Sequence, residues 1–368
     1  MRVGLIVNPV AGLGGAAGLK GSDGPAIQRE ALARGARARA GERAAEAVRA
    51  LLAARPDATV VTVPGAMGEL SARAGGGVPE LVSATAGDPS SAGDTRAAVR
   101  ALAAVDLLLF AGGDGTARDV LDAQPGCPVL GIPAGVKVYS GCFAVGPAAA
   151  GLAAAEFAGT TTEAEVVDLD EDAYRAGRVS PRLYGTLTVP AARVRLSGRK
   201  TGSSTADPES VEAIAREVVS RMRPGVRYIL GPGATTLAVE LALGVTGTLL
   251  GVDVVADGAP IGLDVSERAL LALVEGHDAD AVVSVIGGQG FVLGRGNQQI
   301  SPRVLARVRG LTVLATRTKL AALNGRPLLA DTGDPDVDAR LSGYVPVVTG
   351  HRESVPYRIV PASEECSG

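Results

Sequence analysis

The chain has 368 residues, 50 of them Gly and 22 Pro, yet 46% are hydrophobic and only 20% charged. That apolar content excludes a disordered tract, and the length suggests two domains at about 150 residues each. A formal charge of -3, with 6 Tyr, 4 Phe and no Trp, leaves neither a basic surplus nor stacking platforms for nucleic acid.

In chain order, residues 3–7 are a compact apolar run stopped by Asn8-Pro9, the pattern of a strand. Residues 10–40, rich in Gly, Ala and Arg, read as a loop with some helix. From Glu42 onward Ala45, Val48, Leu51 and Leu52 recur at helical spacing and predict an amphipathic helix. Residues 59–63 form a second strand closed by Pro64-Gly65. Asp94 can accept from the free N–H groups of a first turn and predicts the cap of a helix over 95–104. A strand over 107–110 runs into Ala-Gly-Gly-Asp-Gly-Thr and a helix through Val120 and Leu121, and a further strand over 128–132 ends at Pro133. Repeated strand–helix–strand order with continuous apolar strands predicts a parallel sheet covered on both faces.

Residues 146–164 read as a domain linker or a small helix. Alternation over 182–196 with a break at Pro190 predicts a hairpin, and 198–205 a polar loop with Arg199 and Lys200 as solvated ends. Asp207-Pro208 opens a helix with Val211, Ile214, Ala215, Val218 and Met222 on one face. Strands over 228–230, 249–255 and 281–286 and a helix over 266–274 follow. Gly231, Gly233 and Thr235 resemble a dinucleotide loop but also suit a packing turn. His277 suits a helix C-terminus. The fold class expected is α/β: a doubly wound, mostly parallel sheet domain over 1–150, a strand-rich α+β domain over 165–345, and a C-terminal strand and tail over 346–368. Cys127, Cys142 and Cys366 contain no C-x-x-C pair, which argues against a disulfide framework or a cysteine zinc site. With two histidines, no signal-like N-terminus and no apolar run of 18 residues, the reading is a cytoplasmic protein with no membrane span and no protein-held metal.

The chemistry concentrates in Gly112-Gly113-Asp114-Gly115-Thr116, at the carboxyl end of a central strand. Ligands of open α/β sheets bind in the crevice outside those ends. Glycines admit a phosphate close to the backbone, and the following helix offers its positive N-terminus. A carboxylate there would repel phosphate unless it holds the attached metal or accepts a proton from an attacking hydroxyl. The bland alternative is a glycine turn with a capping Asp. A second apolar strand runs into Gly287-Gly288-Gln289-Gly290, with Gln289 where the first loop has Asp114.

Gly-Gly-Asp-Gly-Thr resembles the signature shared by NAD kinases, lipid kinases and, more distantly, phosphofructokinases. Four further stretches narrow the match: Val7-Asn-Pro-Val-Ala-Gly-Leu-Gly-Gly, Gly18-Leu-Lys-Gly-Ser-Asp-Gly, Gly131-Ile-Pro-Ala-Gly-Val-Lys-Val-Tyr-Ser, and the run from Gly287 through Arg295 and Asn297 to Pro302. With Asp331-Thr-Gly-Asp-Pro they are similar to the ATP-NAD kinase family, in the divergent branch that includes acetoin-catabolism-associated proteins. The resemblance implies phosphoryl transfer from ATP or polyphosphate to the adenosine ribose 2'-hydroxyl of NAD, with Mg2+ arriving on the nucleotide, and a homo-oligomer. Carried over, Asp114 would be the base, while Gly112, Gly113, Gly115 and Thr116 cradle phosphate and Asn8 faces the same crevice. Asp119, Gly135, Lys137, Tyr139, Ser140, Arg295 and Asn297 are candidates for acceptor binding; Lys20 and Asp23 suit an ordinary turn equally well. One departure stands out: better-studied members carry Asn followed by an acid, and none of Asn8, Asn297 and Asn324 is so followed. A different hydroxyl acceptor, or a binding protein without turnover, stays open on the residues alone.

Overall fold

Four largely apolar strands, β1 (Arg2–Val7), β2 (Thr59–Thr62), β4 (Leu107–Gly112) and β5 (Val129–Pro133), and a short exposed edge strand, β3 (Glu80–Leu81), pair in parallel in the order β3-β2-β1-β4-β5. The computed structural model describes residues 1–13, 29–30, 33, 38–84, 87, 90–134, 138–169, 181–191 and 208–364. Gly135, Lys137, Lys20, Asp23, Arg199, Lys200, Asp207 and Cys366 lie outside them.

Strand alternation divides the core. Leu5, Leu107, Leu109 and Ile132 point to one face, covered by α1 (Ala40–Ala54) and by α5 (Pro147–Glu156). Ile6, Leu108, Phe110 and Val129 point to the other, covered by α3 (Ala92–Ala101) and α4 (Asp114–Asp122); the short α2 (Glu69–Ala74) follows β2. Both faces are therefore wound with helix, as continuous apolar strands require. The stretch expected as linker or helix becomes α5, whose Gly151 lets it close on α1: a Cβ there would fall 2.1 Å from the Ala47 carbonyl oxygen.

The cap of α3 differs from expectation. Ser91, not Asp94, is the N-cap; its hydroxyl accepts from the Asp94 N–H and the Asp94 carboxylate accepts from the Ser91 N–H at 2.8 Å. An acid three residues into a helix reaches back to the cap, so the helix starts earlier than a capping Asp would place it.

An antiparallel ribbon, β6 (Thr161–Leu169) and β7 (Pro181–Pro190), follows. The sequence groups it with the second domain, but Ala164, Val166, Leu187 and Val189 pack with Phe110 and Val120 of the first. The second domain is one mixed sheet in the order β10-β9-β8-β11-β13-β15-β16-β14-β12. Its strands are β8 (Arg227–Leu230), β9 (Asp253–Ala256), β10 (Ala259–Gly262), β11 (Ala279–Ser284), β12 (Phe291–Leu293), β13 (Gly310–Leu314), β14 (Leu328–Ala330), β15 (Gly343–Gly350) and β16 (Glu353–Pro361). Helices α6 (Pro208–Arg221), α7 (Ala234–Ala242) and α8 (Glu267–Val274) lie among them. The strand expected over 249–255 is shorter because Asp253 gathers the Thr248 N–H and hydroxyl and the Asp264 N–H, holding the preceding residues in a loop. Among the described residues no helix is long and apolar enough to cross a membrane.

One buried ion cluster joins the two domains. Arg43 on α1 meets Asp331 with both terminal nitrogens, at 3.0 and 2.5 Å, and its Nε donates to the Pro133 carbonyl. Arg295 donates to the same Asp331 carboxylate at 3.0 Å and to the Val145 carbonyl at 2.8 Å, with its guanidinium over the Phe291 ring. Burial raises the Asp331 pKa, but the two guanidiniums pull it further down, below the usual carboxylate range. Burial, with Arg43 adding repulsion against the pull of Asp331, lowers Arg295 to about 10. Asp331→Ala strands two buried cations, and we expect a loss of about 3–5 kcal/mol in urea unfolding.

A second buried pair makes stability depend on pH. Glu240 on α7 and Asp253 on β9 are each 1% exposed. Burial first, then the hydrogen bond to Asp253 and its charge, pushes the Glu240 carboxyl from 4.5 up to about 9. The folded state holds a proton that the unfolded chain releases above pH 4.5, so this contribution is full at low pH and falls as pH rises toward 9. Glu240→Gln carries its hydrogen at every pH; its urea midpoint should exceed that of the parent chain at pH 8 and match it more closely at pH 5.

Candidate functional site

The order of the first sheet places a topological switch point between β1 and β4, where the chain turns from winding one way to winding the other. Ligand crevices of open α/β sheets form at such points, outside the carboxyl ends of the strands. Here those ends are Asn8 and the Gly112–Thr116 loop. The Asn8 side-chain amide donates to the Thr116 hydroxyl at 3.0 Å, and its carbonyl accepts from the Val10 N–H. Gly112 has to be glycine, since a Cβ there would lie 2.3–2.7 Å from the Thr116 side chain. Thr116 is buried while Gly113, Asp114 and Gly115 stay half-buried at the mouth of α4.

Asp114 is the first residue of α4, and the segment after β5 meets it. The Tyr139 N–H donates to both carboxylate oxygens, at 3.1 and 2.9 Å; the Ser140 N–H and hydroxyl donate to Oδ1 at 2.9 and 2.6 Å. Ser140 is itself held, because its oxygen accepts from the Val167 N–H of β6 at 3.0 Å. Oδ1 thus takes three hydrogen bonds from described residues and Oδ2 one, leaving Oδ2 with acceptor capacity. Burial is the largest influence on the carboxyl and raises its pKa; the Ser140 and Tyr139 hydrogen bonds and the charge of Arg118 offset only part of that. A carboxylate with spare acceptor capacity on Oδ2 and a raised pKa is suited to accept a proton.

The other candidates divide. Tyr139 and Ser140 do join Asp114, but through backbone N–H groups and the Ser140 hydroxyl, with both residues buried. Asp119 lies five residues along α4, about 140° around a helix of 3.6 residues per turn, and faces Arg96 of α3 at 3.4 Å. Arg295, 2% exposed, is committed to the domain seam. Asn297 is buried and shapes its own loop, accepting from the Gly294 N–H and donating to the Val292 carbonyl, each at 2.9 Å. Gln289 is buried as well, and its amide donates to the Val138 carbonyl at 2.9 Å. The Gly231–Gly233 turn leads into α7 as a packing turn: Gly233 has φ +142, and a Cβ on it would fall 2.6 Å from the Ser284 hydroxyl.

Arg43 went unread in the sequence. It sits on the buried stripe of α1 with Ala40, Ala44, Ala47 and Val48, and a charge at a core position of an amphipathic helix is the signal that marks it.

No group of three or more His, Cys, Asp and Glu side chains among the described residues could hold a metal ion. The donor set at Asp114, one carboxylate already engaged on both oxygens, does not make a protein-held magnesium cage. A surface hollow lined by Leu121, Gln124, Cys127, Tyr184 and Leu187 opens at the other end of α4 and includes none of the candidate site residues. Cys127 beside it is pushed up to about 11 by burial and by Asp106, and is no ready nucleophile. Both described cysteines are free.

Gly112→Ala drives a methyl into Thr116 and should break the Asn8–Thr116 bond. We expect a cost of about 1–3 kcal/mol, read as a lowered urea midpoint.

Compared with known proteins, residues 3–160 match the family model of the ATP-NAD kinase N-terminal domain, and residues 223–359 that of the ATP-NAD kinase C-terminal domain. No curated protein and no solved structure matches the chain.

Proposed function

Since the chain belongs to the ATP-NAD kinase family, we propose that it transfers a phosphoryl group from ATP or polyphosphate to the adenosine ribose 2'-hydroxyl of NAD, giving NADP. The observation that carries this reading is the placement of Asp114: a carboxylate at the switch-point crevice, oriented by three donors from one loop, with Oδ2 taking a single hydrogen bond from described residues.

In the proposed step the 2'-oxygen forms a bond to the terminal phosphorus. The bond from that phosphorus to the bridging oxygen breaks, and the leaving diphosphate, or shortened polyphosphate, keeps the electron pair. The hydroxyl proton passes to Asp114 Oδ2 and later to solvent. Backbone N–H groups of Gly113, Gly115 and Thr116, at the positive end of α4, suit the incoming phosphate oxygens. Asn8 keeps Thr116 in place beneath them. Magnesium, in this reading, comes bound to the nucleotide and neutralises phosphate charge.

The test mixes protein, NAD, Mg2+ and either ATP or polyphosphate, and reads NADP with an NADP-specific dehydrogenase. We expect NADP from the native chain and a rate about 10²–10⁴ lower from Asp114→Asn. Because burial raises the Asp114 pKa, kcat/KM should fall as pH drops through a value above the ordinary aspartate range, not below it. Absence of NADP with both donors, from protein that is folded, would falsify the assignment of NAD as acceptor.

A further inference from the structure

The Gly287–Gly290 loop looks like a second ligand loop in sequence, but its one polar side chain is spent inside the protein. Gln289 is 4% exposed, and its amide reaches across the domain seam to the Val138 carbonyl, itself on a fully buried residue. The loop that presents it is well braced. Gly288 and Gly290 turn with φ +79 and +82, and the Gln289 and Gly290 N–H groups both donate to the Ile286 carbonyl. Arg326 donates to the Gly288 carbonyl at 2.9 Å, and Leu329 N–H to the Gly290 carbonyl at 2.9 Å.

The far side of Val138 is the segment that holds Asp114. Val138 is followed directly by the Tyr139 and Ser140 N–H donors, and then by Gly141, whose N–H donates to the Glu165 carbonyl of β6 at 2.8 Å. The segment is therefore held at one end by the ribbon of the first domain and, on its other side, by the Gln289 side chain of the second. Tyr139 and Ser140, which hold Asp114, lie between these two points.

We propose that Gln289 is a positioning residue for Asp114, so that the second domain completes the catalytic geometry without touching the transferred phosphate. This rests on Asp114 acting as the base. Removing the amide frees Val138, loosens the two N–H donors on Asp114, and leaves burial less opposed. The carboxyl pKa then rises, and Oδ2 loses its fixed direction.

The experiment compares Gln289→Leu and Gln289→Glu with Val304→Ala, a second-domain core substitution that removes none of the hydrogen bonds between Gln289 and Asp114 (Val304 is fully buried). Kinetics are run across pH with Mg2+–ATP varied from below to well above its KM. In parallel, the Asp114 carboxyl is titrated by NMR in 13C-aspartate-labelled protein and assigned by its loss in Asp114→Asn. For Gln289→Leu we expect kcat to fall about tenfold with KM for ATP changing less than about threefold, and the Asp114 titration and acid limb to move up by about half to one pH unit, the worth of one lost hydrogen bond. Gln289→Glu, which sets a carboxylate against the Val138 carbonyl, should fall further. Val304→Ala should lower the urea midpoint and leave the Asp114 titration where it was.

If Gln289→Leu is folded and leaves the titration unmoved, Gln289 does not position Asp114. If Val304→Ala moves it equally, the shift reports only general loosening and the proposal fails. Should Asp114→Asn retain full turnover, the reading of Asp114 as base fails instead, while the NMR shift still decides whether Gln289 governs its environment.

Discussion

A carboxylate buried between two guanidiniums tolerates little displacement, because each buried ion costs several kcal/mol unless its partners stay within hydrogen-bond reach. Asp331 is such a group. It follows β14 at the end of the second sheet, Arg295 follows the neighbouring β12, and Arg43 approaches from α1 of the first domain. Gly294 lets the two strand ends come this close, since a Cβ there would fall 1.8 Å from the Asp331 carbonyl oxygen. Around the cluster Arg39 donates to the Thr332 and Gly333 carbonyls, and Arg295 to that of Val145. These bonds set the register of one domain on the other, and the Gln289–Val138 bond forms only in that register.

Asp114 shows the same physics at lower charge density. Burial raises its pKa, and its hydrogen bonds from Ser140 and Tyr139 lower it. The balance struck here, with burial the larger effect, leaves the carboxyl above its ordinary range while Ser140 and the loop N–H groups keep its direction. The hydrogen bonds that fix its orientation come from two consecutive residues, Tyr139 and Ser140, through two backbone N–H groups and the Ser140 hydroxyl.

Four strands of the parallel first sheet are legible because they are apolar runs closed by Pro or Gly, whereas the short exposed β3 has no such pattern; the Gly-Gly-Asp-Gly-Thr loop is legible because it stands where such a strand meets a helix. The cap of α3 was misread by three residues, since Asp serves both as an N-cap and as the reaching acid of a capping box. Chain order groups the β6–β7 ribbon with the second domain, whereas its inward residues Ala164, Val166, Leu187 and Val189 are buried with Ala117 and Val120 of α4 in the first. Arg295 and Asn297 were read as acceptor ligands from a polar, Gly-rich loop; burial turns one into a seam residue and the other into a brace for its own turn.

What the sequence by itself determined is local: the strand and helix periods, the glycines that let the backbone turn, and the carboxylate set within the glycine-rich loop between a strand and a helix. These depend on contacts within a few residues, and the chain encodes them directly. Which side chains are spent on holding the molecule together and which remain for a ligand was decided only by the tertiary structure. Arg43, Asp331, Arg295 and Gln289 lie up to 288 residues apart in hydrogen-bonded pairs, and only the docking of the two sheets removes water from them. Loss of water is what converts a charged side chain from a surface ligand into part of the core.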